Sequence, residues 1–176
     1  AVWMERAGIS PEDFAINHPA GSLGRQLTLS VADLMVPASD LEGLSPQATL
    51  AEVIGQLTQG SNGKGSLGAA WVRTNDNPDA MAGLITDGDL RRTLQRHAPD
   101  TWAAIRAGAM ATTDPITVTP DTLAIAALEL MERNPRQAIS VLPVVDPAQP
   151  RQLLGLLRLH DLVQAGFTTS PAPERQ

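Results

Sequence analysis

The chain has 176 residues, of which 43% are hydrophobic, and this length suits one ordinary domain or two small ones. Its net charge of −6 argues against a nucleic-acid backbone or an anionic membrane as the main partner. The absence of cysteine excludes disulfides and thiolate metal sites and fits a reducing compartment, so we expect a cytoplasmic protein.

The two ends of the chain suggest a piece of a longer protein. The opening residues, AVWMERAG, contain no signal-peptide core and no initiator methionine, which predicts a fragment. No apolar run reaches transmembrane length. The final residues are polar and Pro-rich, and we expect a disordered tail over 167–176.

The first predicted elements are a helix, a loop and a strand. The segment SPQATLAEVIGQL has apolar residues at amphipathic-helix spacing, namely Leu50, Val53, Ile54 and Leu57. The glycine-rich stretch 60–68 holds Lys64, the only lysine, but lacks the spacing of a phosphate-binding P-loop, so it is interpreted as a flexible loop. GAAWVRT, residues 68–74, is predicted to be a buried strand.

The next segment, GLITDGDLRR, residues 83–92, predicts a strand that ends where a helix begins. Thr86 and Asp89 therefore lie where a strand's C-terminal end meets a helix N-terminus, a frequent place for a phosphate or ribose to bind. The alternative is a capped helix with a solvated acid. The local pattern favours this alternative.

The same elements recur later in the chain. GLLRLHDLVQ, residues 155–164, repeats the strand–helix junction, with Gly155 lying 72 positions after Gly83. With a one-residue gap, TPDTLAIAALEL repeats the helix, and its predicted buried stripe is Leu123, Ala126, Ala127 and Leu130. AISVLPVVD, residues 138–146, repeats the central strand. Each unit therefore has the order helix, strand, strand, helix after a short leading segment.

This pattern, over residues 29–166, resembles a tandem pair of CBS domains. The resemblance implies an α/β fold in which two CBS-domain repeats, 29–98 and 99–166, pack as a pseudo-two-fold pair. It also implies that Thr86 and Asp89 bind the phosphate and ribose of a nucleotide. In the second copy Arg158 replaces the threonine while Asp161 is kept, so nucleotide binding is less certain there. The Arg158 guanidinium could hold a carboxylate or phosphate, or could simply be solvated.

The N-terminal run DFAINHPAGSLGRQLTLSVADLM resembles the junction between the sugar-isomerase (SIS) domain and the CBS pair of D-arabinose-5-phosphate isomerases. These enzymes belong to the pathway of 3-deoxy-manno-octulosonate (Kdo), which supplies lipopolysaccharide. Many members have glycine where Ala20 stands. The resemblance implies that residues 1–28 are the end of the SIS domain and linker, and that His18 belongs to the isomerase active site. We expect the chain alone to be inactive, because the rest of that domain is absent.

The expected function is therefore regulatory. The resemblance implies a nucleotide ligand, and the basic residues Arg91, Arg92 and Arg158 favour one with an added acidic sugar, CMP-Kdo. The alternatives are a general AMP or ATP sensor and a purely structural oligomerisation module. We expect the chain's own SIS domain and a second copy as partners. No required cofactor is expected, and three scattered histidines make a metal site improbable.

Overall fold

The computed structural model of the chain describes residues 28–60, 66–134 and 138–167. The predictions for His18, for residues 1–27, for Lys64 and for residues 168–176 lie outside the described residues. Phe167, predicted to begin the disordered tail, is instead only 3% exposed and packs in a hydrophobic cluster.

The first repeat has the predicted order of helix, strand, strand and helix. Its leading segment contains a short strand, β1 (Val36–Pro37), between two 3-10 turns, Val31–Asp33 and Ala38–Asp40. The sequence predicted no strand there. The four elements that follow confirm the positions predicted from the sequence. They are α1 (Leu50–Gln59), β2 (Ala69–Arg73), β3 (Met81–Thr86) and α2 (Asp87–Arg96).

The second repeat follows the same plan. Its leading segment begins with a 3-10 helix, Pro99–Ala104, and continues into a single helical turn. The regular elements are α3 (Ala107–Met110), α4 (Ala124–Glu132), β4 (Val141–Val145), β5 (Leu153–Arg158) and α5 (Leu159–Gln164). Among the described residues, no helix has the length and apolar character needed to cross a bilayer.

The two hairpins are copies of one another in register as well as in sequence. In β2–β3, Val72 pairs with Gly83 and Arg73 pairs with Met81, so the register shifts by one residue between them. In β4–β5, the same shift separates the pairs Val144–Gly155 and Val145–Leu153. Each of these residues lies 72 positions after its counterpart, which confirms the repeat detected in the sequence.

The leading segments cross between the repeats. Strand β1, in the leading segment of repeat 1, pairs with β5 of repeat 2, and Thr112, in the leading segment of repeat 2, bridges Leu84 on β3. The buried Val31 accordingly belongs to the core of repeat 2, while Ala107 and Met110 belong to the core of repeat 1. Each core is therefore completed by the leading segment of the other repeat.

These crossings explain two of the glycines in the hairpins. A Cβ on Gly83 would lie 2.7 Å from the Thr112 carbonyl oxygen, and one on Gly155 would lie 2.5 Å from the Val36 carbonyl oxygen. The neighbours are backbone atoms of a paired segment, which cannot move aside without losing the pairing. Glycine at both positions allows the leading segment to approach the strand closely.

The two repeats pack through their sheets, as the resemblance to a CBS pair implies. Eight buried residues, four from each hairpin, form the contact layer: Ala69, Trp71, Met81, Leu84, Val141, Val145, Leu153 and Leu156. Two hydrogen bonds join the hairpins reciprocally, since Met81 N–H donates to the Arg151 carbonyl at 2.7 Å and Leu153 N–H donates to the Asp79 carbonyl at 3.1 Å. Exchanging the repeats converts one bond into the other, which is the signature of a pseudo-two-fold axis.

The predicted buried stripe of α4 is wrong by one residue. The side chains that α4 buries are Ala124, Ala127, Leu128 and Met131, whereas Leu123 and Leu130 are 43% and 36% exposed. The helix has apolar residues on most of its surface, so two stripes with the same spacing compete. The buried residues Ala124, Ala127 and Met131 lie 74 positions after Leu50, Val53 and Leu57 of α1. This is the alignment of the two helices without the one-residue gap.

Candidate functional site

A cleft of about 1230 Å³ lies between the two repeats and contains both strand–helix junctions. Each repeat contributes two groups of three residues, and the groups are related by the 72-residue offset. The groups before the central strands are Ser66–Gly68 and Ala138–Ser140, and those at the junctions are Thr86–Gly88 and Arg158–His160. We refer to the two sides as half-site 1 (Ser66–Gly68, Thr86–Asp89 and Arg92) and half-site 2 (Ala138–Ser140, Arg158–His160 and Val163).

In half-site 1, the threonine and the aspartate cap helix α2. The Thr86 backbone N–H and its hydroxyl both donate to Asp89 Oδ2, at 2.9 and 2.7 Å, and Asp89 N–H donates to Thr86 Oγ1 at 3.4 Å. This capping box satisfies free N–H groups of the first turn and fixes both side chains at the cleft wall. The helix-capping alternative raised by the sequence is therefore present in the structure.

The aspartate of half-site 1 is also paired with an arginine. Arg92 donates to Asp89 Oδ1 at 2.7 Å, and the Asp89 side chain is only 12% exposed. Both residues line the cleft, so a carboxylate and a guanidinium face the same space. A carboxylate oxygen can accept more than one hydrogen bond, so this pairing leaves Asp89 able to accept from a ligand hydroxyl.

In half-site 2, Arg158 takes the place of the threonine and binds the equivalent aspartate with two side-chain hydrogen bonds. Its Nε donates to Asp161 Oδ2 at 2.8 Å and its Nη2 donates to Oδ1 at 2.5 Å. The Arg158 side chain is 24% exposed, so it is not simply solvated. The hydrogen bond to Asp161 raises the pKa of the guanidinium above its usual value.

The structure brings some of the predicted site residues together and separates others. Thr86, Asp89, Arg92 and Arg158 all line the cleft. Arg91 faces a separate depression beside Leu90, Leu94 and Gln95, so the placement does not support a role in the cleft. Asp161, although predicted as a binding residue, lies behind Arg158 and does not line the cleft wall.

Sequence reasoning missed several residues of the wall. The groups 66–68 and 138–140 share the 72-residue offset with the junctions, so the repeat itself could have revealed them. Arg133, at the end of α4, had no such signal, because its place in the cleft depends on how the repeats pack. Its contact to Glu129 is long, 3.6 Å, and both side chains are more than half exposed.

The half-site 2 side of the cleft also carries exposed apolar side chains. Ile116, Leu130 and Val163 line the cleft and are 42%, 36% and 49% exposed. Apolar surface beside charged groups suits a ligand that has both a flat or apolar part and an anionic part. Within residues 28–60, 66–134 and 138–167, no cluster of three or more metal-binding side chains is present.

Comparison with known proteins identifies the fold. Residues 107–167 match the CBS domain family. CBSX2 in complex with AMP superposes with a TM-score of 0.58 at 23% identity, over 77% of this chain and 94% of that one; CBSX2 from Arabidopsis thaliana superposes equally well. The CBS domain of the bacterial CNNM/CorC family Mg²⁺ transporter, in complex with ATP, gives 0.63 at 16% identity, over 89% and 96%. The chain is a pair of CBS domains.

The sequence relatives of this CBS pair include arabinose 5-phosphate isomerases. It is 34% identical over 163 residues to arabinose 5-phosphate isomerase KdsD of Yersinia pestis, and 40% identical over 163 residues to KdsD of Pseudomonas aeruginosa. Each alignment covers 93% of this chain but only 45% or 46% of the relative. The CBS pair therefore spans about half the length of these isomerases, and the resemblance to the isomerase family is confirmed.

Proposed function

We propose that this CBS pair is the regulatory part of a D-arabinose-5-phosphate isomerase and that its cleft binds a nucleotide. The observation that carries the proposal is the single cleft that joins Thr86 and Asp89 of one repeat to Arg158 of the other. The relationship to the isomerases supports the parent activity, which interconverts D-ribulose 5-phosphate and D-arabinose 5-phosphate.

Half-site 1 has the chemistry to bind a ribose and a phosphate. The Thr86 hydroxyl and the N-terminal end of α2 offer donors to a phosphate, and the helix dipole favours its negative charge. The Asp89 carboxylate offers oxygen acceptors to ribose hydroxyls, as acidic residues do in dinucleotide-binding folds. The apolar Leu67, Leu84 and Val141 supply surface for a base.

The size and charge of the cleft favour a ligand larger than a mononucleotide. Its volume exceeds the roughly 300–1,000 Å³ of ordinary ligand pockets. Arg92, Arg133 and Arg158 all face it, from both repeats. A nucleotide joined to an acidic sugar would use such guanidinium groups for its carboxylate, because arginine binds carboxylates with two parallel hydrogen bonds. On these grounds we propose CMP-Kdo as the regulatory ligand.

A general adenine-nucleotide sensor is the second candidate. It is favoured by the structural neighbours, of which CBSX2 was crystallised with AMP and the transporter domain is in complex with ATP. A purely structural role in oligomerisation is the third, and it is favoured by the exposed apolar residues Leu123 and Ile125 on α4. In each case we propose that the CBS pair self-associates and acts together with an SIS domain.

Calorimetric titration of the chain with CMP-Kdo, CMP, AMP and ATP separates these candidates. The proposal expects CMP-Kdo to bind most tightly. Tighter binding of AMP or ATP would replace it with the adenine sensor, and no binding of any nucleotide would leave the structural role.

A matched pair of variants locates the site. Asp89→Asn keeps the shape of the side chain but removes its charge, and loss of a charged hydrogen bond worth about 1.5–3 kcal/mol predicts at least a tenfold loss of affinity. Asp33→Asn is the control, because Asp33 also closes a capping box, with Ser30, but lies outside the cleft. Equal effects of the two changes would show that Asp89 only caps its helix.

The catalytic part of the proposal has a separate assay. We expect the purified chain to convert no arabinose 5-phosphate to ribulose 5-phosphate, because the relatives extend over about twice its length. Turnover comparable with that of an intact isomerase would contradict this division of roles.

A further inference from the structure

The two aspartates at equivalent positions differ in what they offer to the cleft. Asp89 and Asp161 are 72 positions apart, follow equivalent strands, and have the same side-chain exposure of 12%. Nevertheless Asp89 lines the cleft and Asp161 does not. Burial alone therefore does not explain the difference, which must come from the neighbouring side chain.

That neighbour is the residue at the helix N-cap. Thr86 is short, so it bonds to Asp89 Oδ2 without reaching Oδ1, which accepts one hydrogen bond from Arg92, and Asp89 still lines the cleft. Arg158 is long, and its guanidinium lies along Asp161 with one hydrogen bond to each carboxylate oxygen. The Arg158 backbone N–H adds a third donor to Oδ2 at 3.3 Å. The guanidinium thus lies between Asp161 and the cleft, since Arg158 lines the cleft and Asp161 does not.

We infer that the cleft takes one nucleotide per chain, with its ribose at Asp89, because Arg158 converts half-site 2 from a ribose site into an anion subsite. This inference rests on the proposed function and specifies how the same cleft is used. The ligand's second, anionic part lies against half-site 2, where Arg158 presents its remaining N–H groups and Arg133 and His160 line the same wall. Two mononucleotides bound side by side are not expected, because Asp161 does not reach the cleft wall.

The chain supplies its own reference for the decisive variant, because Thr86 occupies the equivalent position in half-site 1. Arg158→Thr restores the pattern of a threonine three residues before an aspartate, and it uncovers Asp161. We expect equilibrium dialysis with AMP and with CMP to give one nucleotide per wild-type chain and two per Arg158→Thr chain. CMP-Kdo should lose at least tenfold in affinity for the variant, since its acidic part loses the guanidinium.

Two further variants control for indirect effects. Arg91→Thr removes an arginine that lies outside the cleft, and it should leave one nucleotide per chain. The double variant Asp89→Asn with Arg158→Thr should return from two nucleotides to one, now held at Asp161. Thermal unfolding of each variant verifies that the count is made on folded protein.

The outcomes distinguish this inference from the proposed function. A wild-type chain that binds two nucleotides, or an Arg158→Thr chain that still binds one, overturns the single-site inference while nucleotide sensing stands. A wild-type chain that binds none of the three probes overturns both.

Discussion

Repeat 1 ends its second strand in Thr86, whereas repeat 2 ends the equivalent strand in Arg158, and each residue bonds to the aspartate three positions later. The hairpins before them keep the same register and the same bulge. The fold tolerates this exchange because the N-cap side chain points out of the core and into the cleft. Two repeats with the same backbone arrangement thus place different side chains in the shared cleft.

The helices that open the two repeats differ in a second way. Helix α1 buries Leu50, Val53 and Leu57, while α4 buries two alanines at equivalent positions together with Leu128 and Met131. Repeat 2 therefore depends more heavily on a few large side chains of its helix. Its exposed leucines, Leu123 and Leu130, contribute little to the core.

The largest expected effect tests which face of α4 is buried. Leu128→Ala should lower the free energy of unfolding by about 2–5 kcal/mol, because Leu128 is 2% exposed and truncation leaves a cavity. Leu130→Ala, two residues later and 36% exposed, should cost less than about 1 kcal/mol. Urea unfolding monitored by circular dichroism measures both losses. Similar losses would contradict the burial of Leu128 and the exposure of Leu130.

The error in the α4 stripe shows what periodicity can and cannot predict. The spacing of apolar residues predicted both amphipathic helices, and the matching residues of the two strand–helix junctions gave the 72-residue repeat. In α1 polar residues mark the outer face, so the stripe is unambiguous. In α4 Leu123, Ile125 and Leu130 make the outer face apolar as well. Only the packing of the helix into the core of repeat 2, which includes Val31 from the other leading segment, decides which residues are buried.

The next effect tests whether both leading segments cross in the same way. Gly83→Ala and Gly155→Ala should each cost about 1–3 kcal/mol, since the new methyl group would lie within 2.7 Å and 2.5 Å of a paired carbonyl oxygen. Similar losses at the two sites would support the pseudo-two-fold arrangement.

Gly55 is the internal control for that experiment. It lies in the middle of α1 with nothing within 4 Å of its added Cβ, so Gly55→Ala should stabilise the protein by about 0.5–1 kcal/mol. If the changes at Gly83 and Gly155 were also neutral or stabilising, the close approach of the leading segments would be contradicted.

For the candidate site, too, the sequence predicted the features that depend on local structure and missed those that depend on packing. The strand–helix junction placed Thr86 and Asp89 correctly, because their positions follow from local structure. Arg91 and Arg92 could not be told apart, since a one-residue step turns a helix by about 100° and only the packed structure shows which side faces the cleft. That Arg158 covers Asp161 also needed side-chain geometry, which sequence spacing does not give.

A smaller effect concerns the helix caps, which differ between the repeats. Thr49 caps α1 by accepting from Glu52 N–H, whereas α4 has Leu123 at the equivalent N-cap and receives no side-chain hydrogen bond there. Thr49→Ala should cost about 0.5–2 kcal/mol, and Leu123→Ser should stabilise by a similar or smaller amount. Thermal unfolding measures the stability of both variants. If Leu123→Ser destabilised the protein, the Leu123 side chain would contribute packing despite its 43% exposure.

The smallest effect is confined to repeat 1, because the third residue of α1 is Glu52 and that of α4 is Ala126. The hydrogen bonds from the Thr49 hydroxyl, at 2.6 Å, and from its backbone N–H, at 2.7 Å, lower the pKa of Glu52. A lowered pKa in the folded state adds stability above the ordinary pKa of the glutamate, and that stability is lost as the pH falls through the folded value.

Thr49→Val should raise the pKa of Glu52 part of the way back, because the backbone donor remains. Carboxyl-carbon NMR titration measures the change, with Thr58→Val as the control, since the Thr58 hydroxyl donates to the Ile54 carbonyl instead. An unchanged Glu52 titration in Thr49→Val would show that the hydroxyl does not hold the carboxylate, and the contrast between the two helix starts would then reduce to the N-cap residue alone.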